Sequence, residues 1–366
     1  VRSRPARFHL LDPPPGQAGV VAATSTAAER LPELRKDYRL VTVDQRGTGA
    51  LGALNCPKLQ AQTGSSDIAT PSRDAVQECA GILGATARFY GTDQTVADLD
   101  QLRQALGVRK MVIDGTSYGS TVAARYAIAH PANTRKVVLD SVLPHHLTAA
   151  DSFYLTGLTA EARVLRDACA TAPACGFDPT FRNPDVPGMP AGVGDAIGAV
   201  HAAAGGDRTG LDALLTTLAP GGDDVARFSS GLHAATVCSD FRFPWGDSST
   251  PVAGRRAALD RAEATLAQAR TFPYTPGVAT HQGFVQTCLP WPAEKPGSNP
   301  GGRLPNVPVL LLSGTHDLST PTEWARQELA QAPQGKLVIV PGASHSIQNR
   351  ETGRVGRDAV IAFLEP

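Results

Sequence analysis

Short apolar runs alternate with amphipathic stretches at both ends of this chain. Residues 6–11 and 38–43 read as strands, separated by a helical stretch around 27–36. Residues 111–113 and 136–139 read as two more strands, with a helix over 120–130 between them. Towards the C-terminus, 307–312 and 337–340 resume the strand signal around a helix at 321–330, and a last helix covers 353–364. Strand and helix in alternation at this spacing predict a mostly parallel sheet with right-handed crossovers. About six strands are expected, with 38–43 at an exposed edge.

Between about His145 and Pro300 the pattern changes. Ala-rich helical windows at 159–170, 195–204, 210–218 and 254–270 are broken by Pro and Gly clusters, and no convincing strand intervenes. The expected organisation is an α/β core in two parts, residues 1–144 and 301–366, with a helical insert over 145–300. The length of 366 residues suits one large domain carrying such an insert, and no internal repeat is visible.

Charge removes two classes of partner. The 34 basic residues balance 34 acidic ones, so there is no electrostatic reason to expect nucleic acid or an anionic membrane surface. No apolar run is long enough to span a bilayer. The chain begins at Val1 rather than Met, as a processed or trimmed product would, which places any signal peptide outside the sequence.

Six cysteines (Cys56, Cys79, Cys169, Cys175, Cys238, Cys288) fall in three local couples, although 15 pairings are open to them. Their even number, the absence of C-x-x-C and the lack of His at ligand spacing argue for disulfides in an oxidising compartment and against zinc. Six buried thiols in a cytosolic protein are the alternative. Secretion is expected, with no metal and no cofactor.

The chemistry concentrates at Gly115-Thr116-Ser117-Tyr118-Gly119, directly after the apolar run Met111-Val112-Ile113 and directly before a helix. A strand that turns sharply into a helix strains the turn residue and lifts its hydroxyl clear of the sheet. A serine hydroxyl becomes a nucleophile only when an imidazole takes its proton, and the imidazole needs a carboxylate to fix its tautomer. Two late strands end in candidate partners. Val309-Leu310-Leu311-Leu312 runs into Ser313-Gly314-Thr315-His316-Asp317, and Leu337-Val338-Ile339-Val340 runs into Pro341-Gly342-Ala343-Ser344-His345. Other roles exist for each residue. Asp317 could cap the following helix, His316 could be a rival base, and His345 could be an ordinary loop histidine. His130 fits a helix C-terminus, and His145 and His146 lack ligand partners at metal spacing.

Together with Asp44-Gln45-Arg46-Gly47-Thr48-Gly49, Val137-Val138-Leu139-Asp140 and Thr320-Pro321, these motifs resemble the secreted tripeptidyl aminopeptidases of actinomycetes. Those belong with the prolyl iminopeptidases among α/β-hydrolase serine peptidases. The likeness runs from about Leu10 to the C-terminus and includes the cysteine couples Cys56–Cys79, Cys169–Cys175 and Cys238–Cys288. It implies an α/β-hydrolase fold with a lid-like cap formed by the insert, a Ser117 nucleophile, an Asp317 acid and a His345 base. It further implies the Tyr118 backbone N–H as an oxyanion donor and a cap acid for the substrate's free amine, for which Asp240 is the candidate.

Two features depart from the family pattern. Where the family has a Gly-Gly-Pro-Gly turn that helps bind the oxyanion, this chain has Asp12-Pro13-Pro14-Pro15-Gly16-Gln17, and proline has no N–H to donate. Gly16 or Gln17 could substitute after a shift of the loop. The family's first two strands do not precede the strand at 6–11 in this sequence; either they are lost or they belong to a segment ahead of Val1. The leading expectation is a secreted hydrolase of amides or esters, with peptide N-termini as the favoured substrates. An esterase, a lactonase or a non-hydrolytic cyclase or lyase of a secondary-metabolite pathway is the alternative, and an inert binding protein is the third. Eight of the 20 aromatics lie in the later part of the insert, as walls of an apolar pocket or as the insert's own core.

Overall fold

The computed structural model describes residues 7–12, 16–20, 31–49, 52–67, 69–171, 205–209, 212, 224–271 and 274–365. Its centre is a sheet of six parallel strands: β1 (Arg7–Asp12), β2 (Tyr38–Thr42), β3 (Met111–Thr116), β4 (Thr134–Asp140), β5 (Pro308–Gly314) and β6 (Gln334–Val340). Their spatial order is β2-β1-β3-β4-β5-β6, which leaves β2 at one edge as expected. Successive strands step to the β2 side after β1 and to the opposite side from β3 onwards. The order therefore reverses between β1 and β3, where the loops leaving the two strands diverge and open a crevice at their carboxyl ends.

The sequence of the central strands explains why they are covered on both faces. In β3 the residues Met111 to Gly115 are all buried, and in β5 everything after Pro308 is. Alternation then divides these side chains. Val112, Val138, Leu310 and Leu312 pack on one face against Leu31, Leu34, Ile347, Val360 and Leu364. Ile113, Val137, Leu139, Val309 and Leu311 pack on the other, with Val122, Ala123 and Tyr126 of the helix Tyr118–Ala129.

Several helices differ from the sequence reading. Of the stretch expected at 27–36, the described part is a short 3-10 helix, Pro32–Lys36. Three helices between β2 and β3 had no counterpart in that reading: Pro57–Thr63, Arg73–Leu83 and Thr92–Ala105. The window at 254–270 splits into Arg255–Thr265 and Gln268–Thr271, because Leu266 is extended (φ −78°, ψ 113°). Between β4 and β5 the described residues form helices, including Leu155–Thr171 and Ser230–Asp240, and no strand. The windows at 195–204 and 210–218 lie almost wholly outside the described residues.

Two of the expected disulfides are formed. Cys56–Cys79 joins the start of the helix Pro57–Thr63 to the helix Arg73–Leu83, and Cys238–Cys288 joins the helices Ser230–Asp240 and Gly283–Cys288. The Cys169–Cys175 couple lies outside the described side chains.

Candidate active site

β3 ends at Thr116 and the helix Tyr118–Ala129 begins two residues later, so the change of direction falls on Ser117. Ser117 is held at φ 61°, ψ −125°, a conformation that costs about 1–3 kcal/mol for a residue with a side chain. Gly115 makes the bend possible, because a Cβ there would lie 1.9 Å from the Gly119 carbonyl oxygen. The Ser117 N–H donates to Asp140 O (2.9 Å), and Ser117 O accepts from Ser120 N–H (2.9 Å) and Ser120 Oγ (2.5 Å). With the backbone pinned on both sides, the half-buried side chain is left to the outside of the turn. The first N–H groups of the helix lack intrahelical acceptors, and they bring the positive end of its dipole to the same point.

Asp317 and His345 arrive together from the ends of β5 and β6. Asp317 is fully buried and accepts hydrogen bonds from Ser319 N–H (3.0 Å), Thr320 N–H (2.8 Å) and Thr320 Oγ1 (2.8 Å). His345 Nδ1 lies 3.0 and 3.1 Å from its two oxygens and donates to them. Burial alone would push the Asp317 carboxyl up, but the charge and hydrogen bond of His345 and the Thr320 donors outweigh it and hold the group below its ordinary value. Burial likewise depresses His345. The Asp317 carboxylate, aided by Asp140, overrides this and raises the imidazole above its ordinary value. A proton on Nδ1, assigned from the facing carboxylate, leaves Nε2 as the acceptor, and Nε2 has no hydrogen-bond partner among the described residues.

The turn after His345 and the turn at Ser117 hang on the same strand end. Ser117 is tied to Asp140 O, and the Ser346 N–H donates to the hydroxyl of the next residue, Ser141 (2.7 Å). Four non-glycine residues among those described have positive φ, and three of them, Ser117, Ser141 and Ser346, meet here. Strain gathered at the carboxyl ends of neighbouring strands marks a place where the surrounding structure over-determines the backbone. No hydrogen bond closes between Ser117 Oγ and the His345 ring among the described residues. Contacts of this kind tighten when substrate is bound.

The loop expected to supply a second oxyanion donor is described only in part. Pro13 to Pro15 lie outside the described residues, while Gly16 is placed at φ 91° in the loop leaving β1, next to β3 in the sheet. That loop is paired with the segment ahead of the helix Ser230–Asp240. Gly16 O accepts from Ser229 N–H (2.7 Å), and the Ala18 N–H donates to Arg227 O (2.9 Å). The opposite end of the same helix reaches Tyr118. Asp240 Oδ2 accepts from Tyr118 OH (2.7 Å) and Thr92 N–H (3.0 Å), and also from Thr92 Oγ1.

This location corrects the expectation for Asp240. Its carboxylate is wholly buried behind the Ser117 turn, with Oδ2 held by Tyr118 and Thr92 and Oδ1 without a hydrogen-bond partner among the described residues, so it does not open onto a substrate's amine. His316 is exposed and forms no pair with Asp317. His145 is buried, its Nδ1 2.7 Å from Glu328 Oε1 and its Nε2 3.1 Å from Gly302 O. His130 ends its helix against the Tyr126 ring, with centroids 4.9 Å apart. Phe241, Phe243, Trp245, Phe284 and Trp291 are buried against one another and their surroundings, which makes these aromatics core of the inserted segment.

The sequence reading missed Thr320, Ser141 and the side chain of Asp140 as parts of the site. Thr320 and Asp140 stood inside quoted motifs, and their position at strand ends was the signal available. The reach of Asp140 to residues more than 200 positions away had none.

Comparison with known proteins agrees with this architecture. Residues 25–182 match the family model described as alpha/beta hydrolase fold, and residues 274–366 match one described as TAP-like protein. The chain is 25% identical over 391 aligned residues to serine protease Hip1 of Mycobacterium tuberculosis, covering 91% of this chain and 74% of that protein. It is 27% identical over 255 residues to a proline iminopeptidase of Xylella fastidiosa, covering 69% of this chain and 66% of that one. A tripeptidyl aminopeptidase of Streptomyces lividans is 31% identical over 121 residues, which are 30% of this chain and 22% of that protein. The matched stretch is thus less than a quarter of the last relative's length.

Proposed function

For a chain with the α/β-hydrolase fold, we propose a serine hydrolase that cleaves an amide or ester bond through an acyl-enzyme, with peptide N-termini as its substrates. The observation that carries this reading is the Asp317–His345 pair, delivered to the strand end on which the strained Ser117 is hung. In the first half-reaction Ser117 Oγ attacks the carbonyl carbon while its proton passes to His345 Nε2. The C–N or C–O bond breaks as that proton is handed to the leaving amine or alcohol. In the second half-reaction water adds to the acyl carbon as its proton passes to His345, which returns that proton to Ser117 Oγ as the acyl C–O bond breaks and the acid leaves.

Asp317 keeps the imidazole in the tautomer that accepts at Nε2 and stabilises the imidazolium that forms between the steps. The Tyr118 N–H, at the positive end of its helix, is the first donor to the oxyanion. The loop carrying Gly16 is the candidate source of the second. Peptidase names among the relatives favour amide substrates, and the two disulfides favour an oxidising, extracellular setting. No helix among the described residues is long and apolar enough to cross a membrane.

The test is labelling by a fluorophosphonate probe, together with turnover of aminoacyl and tripeptidyl chromogenic amides and of p-nitrophenyl esters. The wild type should label and cleave amides, and Ser117→Ala should do neither. Turnover restricted to esters would favour an esterase or lactonase on the same residues. A folded wild type that does not label would mean that Ser117 is not a nucleophile.

A further inference from the structure

Asp140 lies at the carboxyl end of β4 and is completely buried. Its main chain faces the Ser117 turn, since Asp140 O accepts the Ser117 N–H at 2.9 Å. Its carboxylate faces the other way, into the turn that follows His345. Oδ1 accepts from Ile347 N–H (3.0 Å) and Ser141 Oγ (3.1 Å), and Oδ2 accepts from Gln348 N–H (2.8 Å). Ser141 Oγ in turn accepts from Ser346 N–H, so three successive amides after His345 end on Asp140 and its neighbour. Gln348 is fixed from the remaining side by Nε2 donating to Asp114 Oδ1 on β3 (3.0 Å).

We propose that Asp140 is the positioning residue of this site, with its carbonyl setting the Ser117 turn and its carboxylate setting the His345 turn. One residue then fixes the separation of the two groups between which the proton must move. The inference rests on Ser117 and His345 acting as nucleophile and base. It adds a second anion to the surroundings of the imidazole, distinct from the Asp317 that holds Nδ1.

The electrostatics accord with a carboxylate held ready by amide donors. Burial, aided by Asp114, outweighs the Gln348 and Ile347 N–H groups and the His345 charge, and the balance leaves the Asp140 carboxyl raised to about 6. The charged groups acting on His345 are Asp317 and Asp140, which raise it, and Arg350, which lowers it. Removing the Asp140 charge should therefore let the imidazole lose its proton at lower pH.

The experiment compares pH profiles of kcat and kcat/KM on a p-nitrophenyl ester for the wild type, Asp140→Asn and Ser141→Ala, with fluorophosphonate labelling of each. Asp140→Asn should lower kcat about 10-fold with KM nearly unchanged, because the loss is one of alignment. Its acid limb should also move down by about half to one pH unit. Ser141→Ala removes one anchor of the same turn and keeps the charge, so kcat should fall about 3-fold or more with the acid limb in place. An Asp140→Asn protein that melts earlier but keeps the wild-type kcat and acid limb overturns the proposal. So does a Ser141→Ala protein with wild-type kcat, a result available even if Asp140→Asn does not fold. A wild type that neither labels nor turns over any substrate refutes the hydrolase reading itself, and removes the pair that Asp140 would align.

Discussion

Replacing Gly314 by Ala tests the arrangement at its tightest crossing. Gly314 is the last residue of β5, and the backbone that leads to His345 runs directly across it. A Cβ there would stand 2.1 Å from Ala343 O, 2.6 Å from Ala343 C and 2.8 Å from Ser344 O. All three are main-chain atoms, and contacts under 3.0 Å essentially do not occur, so the 343–344 backbone must retreat by about 0.9 Å at its closest point. His345 is the next residue, so its ring should shift by a similar amount, on the order of the 1 Å misplacement that costs about 100-fold in rate. The fold should survive, since accommodating one extra methyl typically costs about 1–3 kcal/mol. Gly353→Ala is the control, because its Cβ would meet nothing within 4 Å. Both variants would be assayed for kcat/KM on an ester substrate and for melting temperature. Gly314→Ala within 2-fold of wild-type activity would refute His345 as the base or the crossing that places it.

Asp317→Asn should fold but lose about 10,000-fold in kcat, because an amide facing Nδ1 no longer selects the tautomer that accepts at Nε2; a loss under 10-fold would remove Asp317 from the site. The pH dependence follows from the raised value of His345: the neutral imidazole is the active form, so activity should fall as pH drops through a midpoint above the usual 6.5. A midpoint below 6 would contradict that direction. Asp317, held low, should stay ionised throughout this range and add no second limb. Reduction should destabilise the chain by about 3–4 kcal/mol for each of the loops of 23 and 50 residues. An unchanged denaturation midpoint with strong reductant would show that the cysteines are not cross-linked in solution.

The strands were legible because each is a dense apolar run ending at a turn signal. Leu310 to Leu312 and Val137 to Leu139 are buried on both faces, and no competing helical period obscures them. Ser117 was legible for the same reason, since a five-residue motif lies where a strand must become a helix. Helices were read less well. Thr92–Ala105 has a low mean hydropathy and mixes Thr and Asp into its buried face, so its period is faint. Ser230–Asp240 has no polar face, with nearly every residue buried, and amphipathicity cannot reveal such a helix. The roles of Asp140 and Asp240 depend on contacts across 207 and 122 positions, between side chains and groups that composition and spacing cannot pair.

The helix Ser230–Asp240 belongs to the inserted segment, yet it touches the α/β sheet's machinery at both ends. Its leading flank is stitched to Gly16 and its last residue to Tyr118, while Cys238 fastens it to Cys288. A lid that swung open by carrying this helix along would dismantle the cradle it was meant to uncover. The helix is therefore tied to the same frame as the Ser117 turn, and any opening that keeps these bonds intact has to take place elsewhere between β4 and β5.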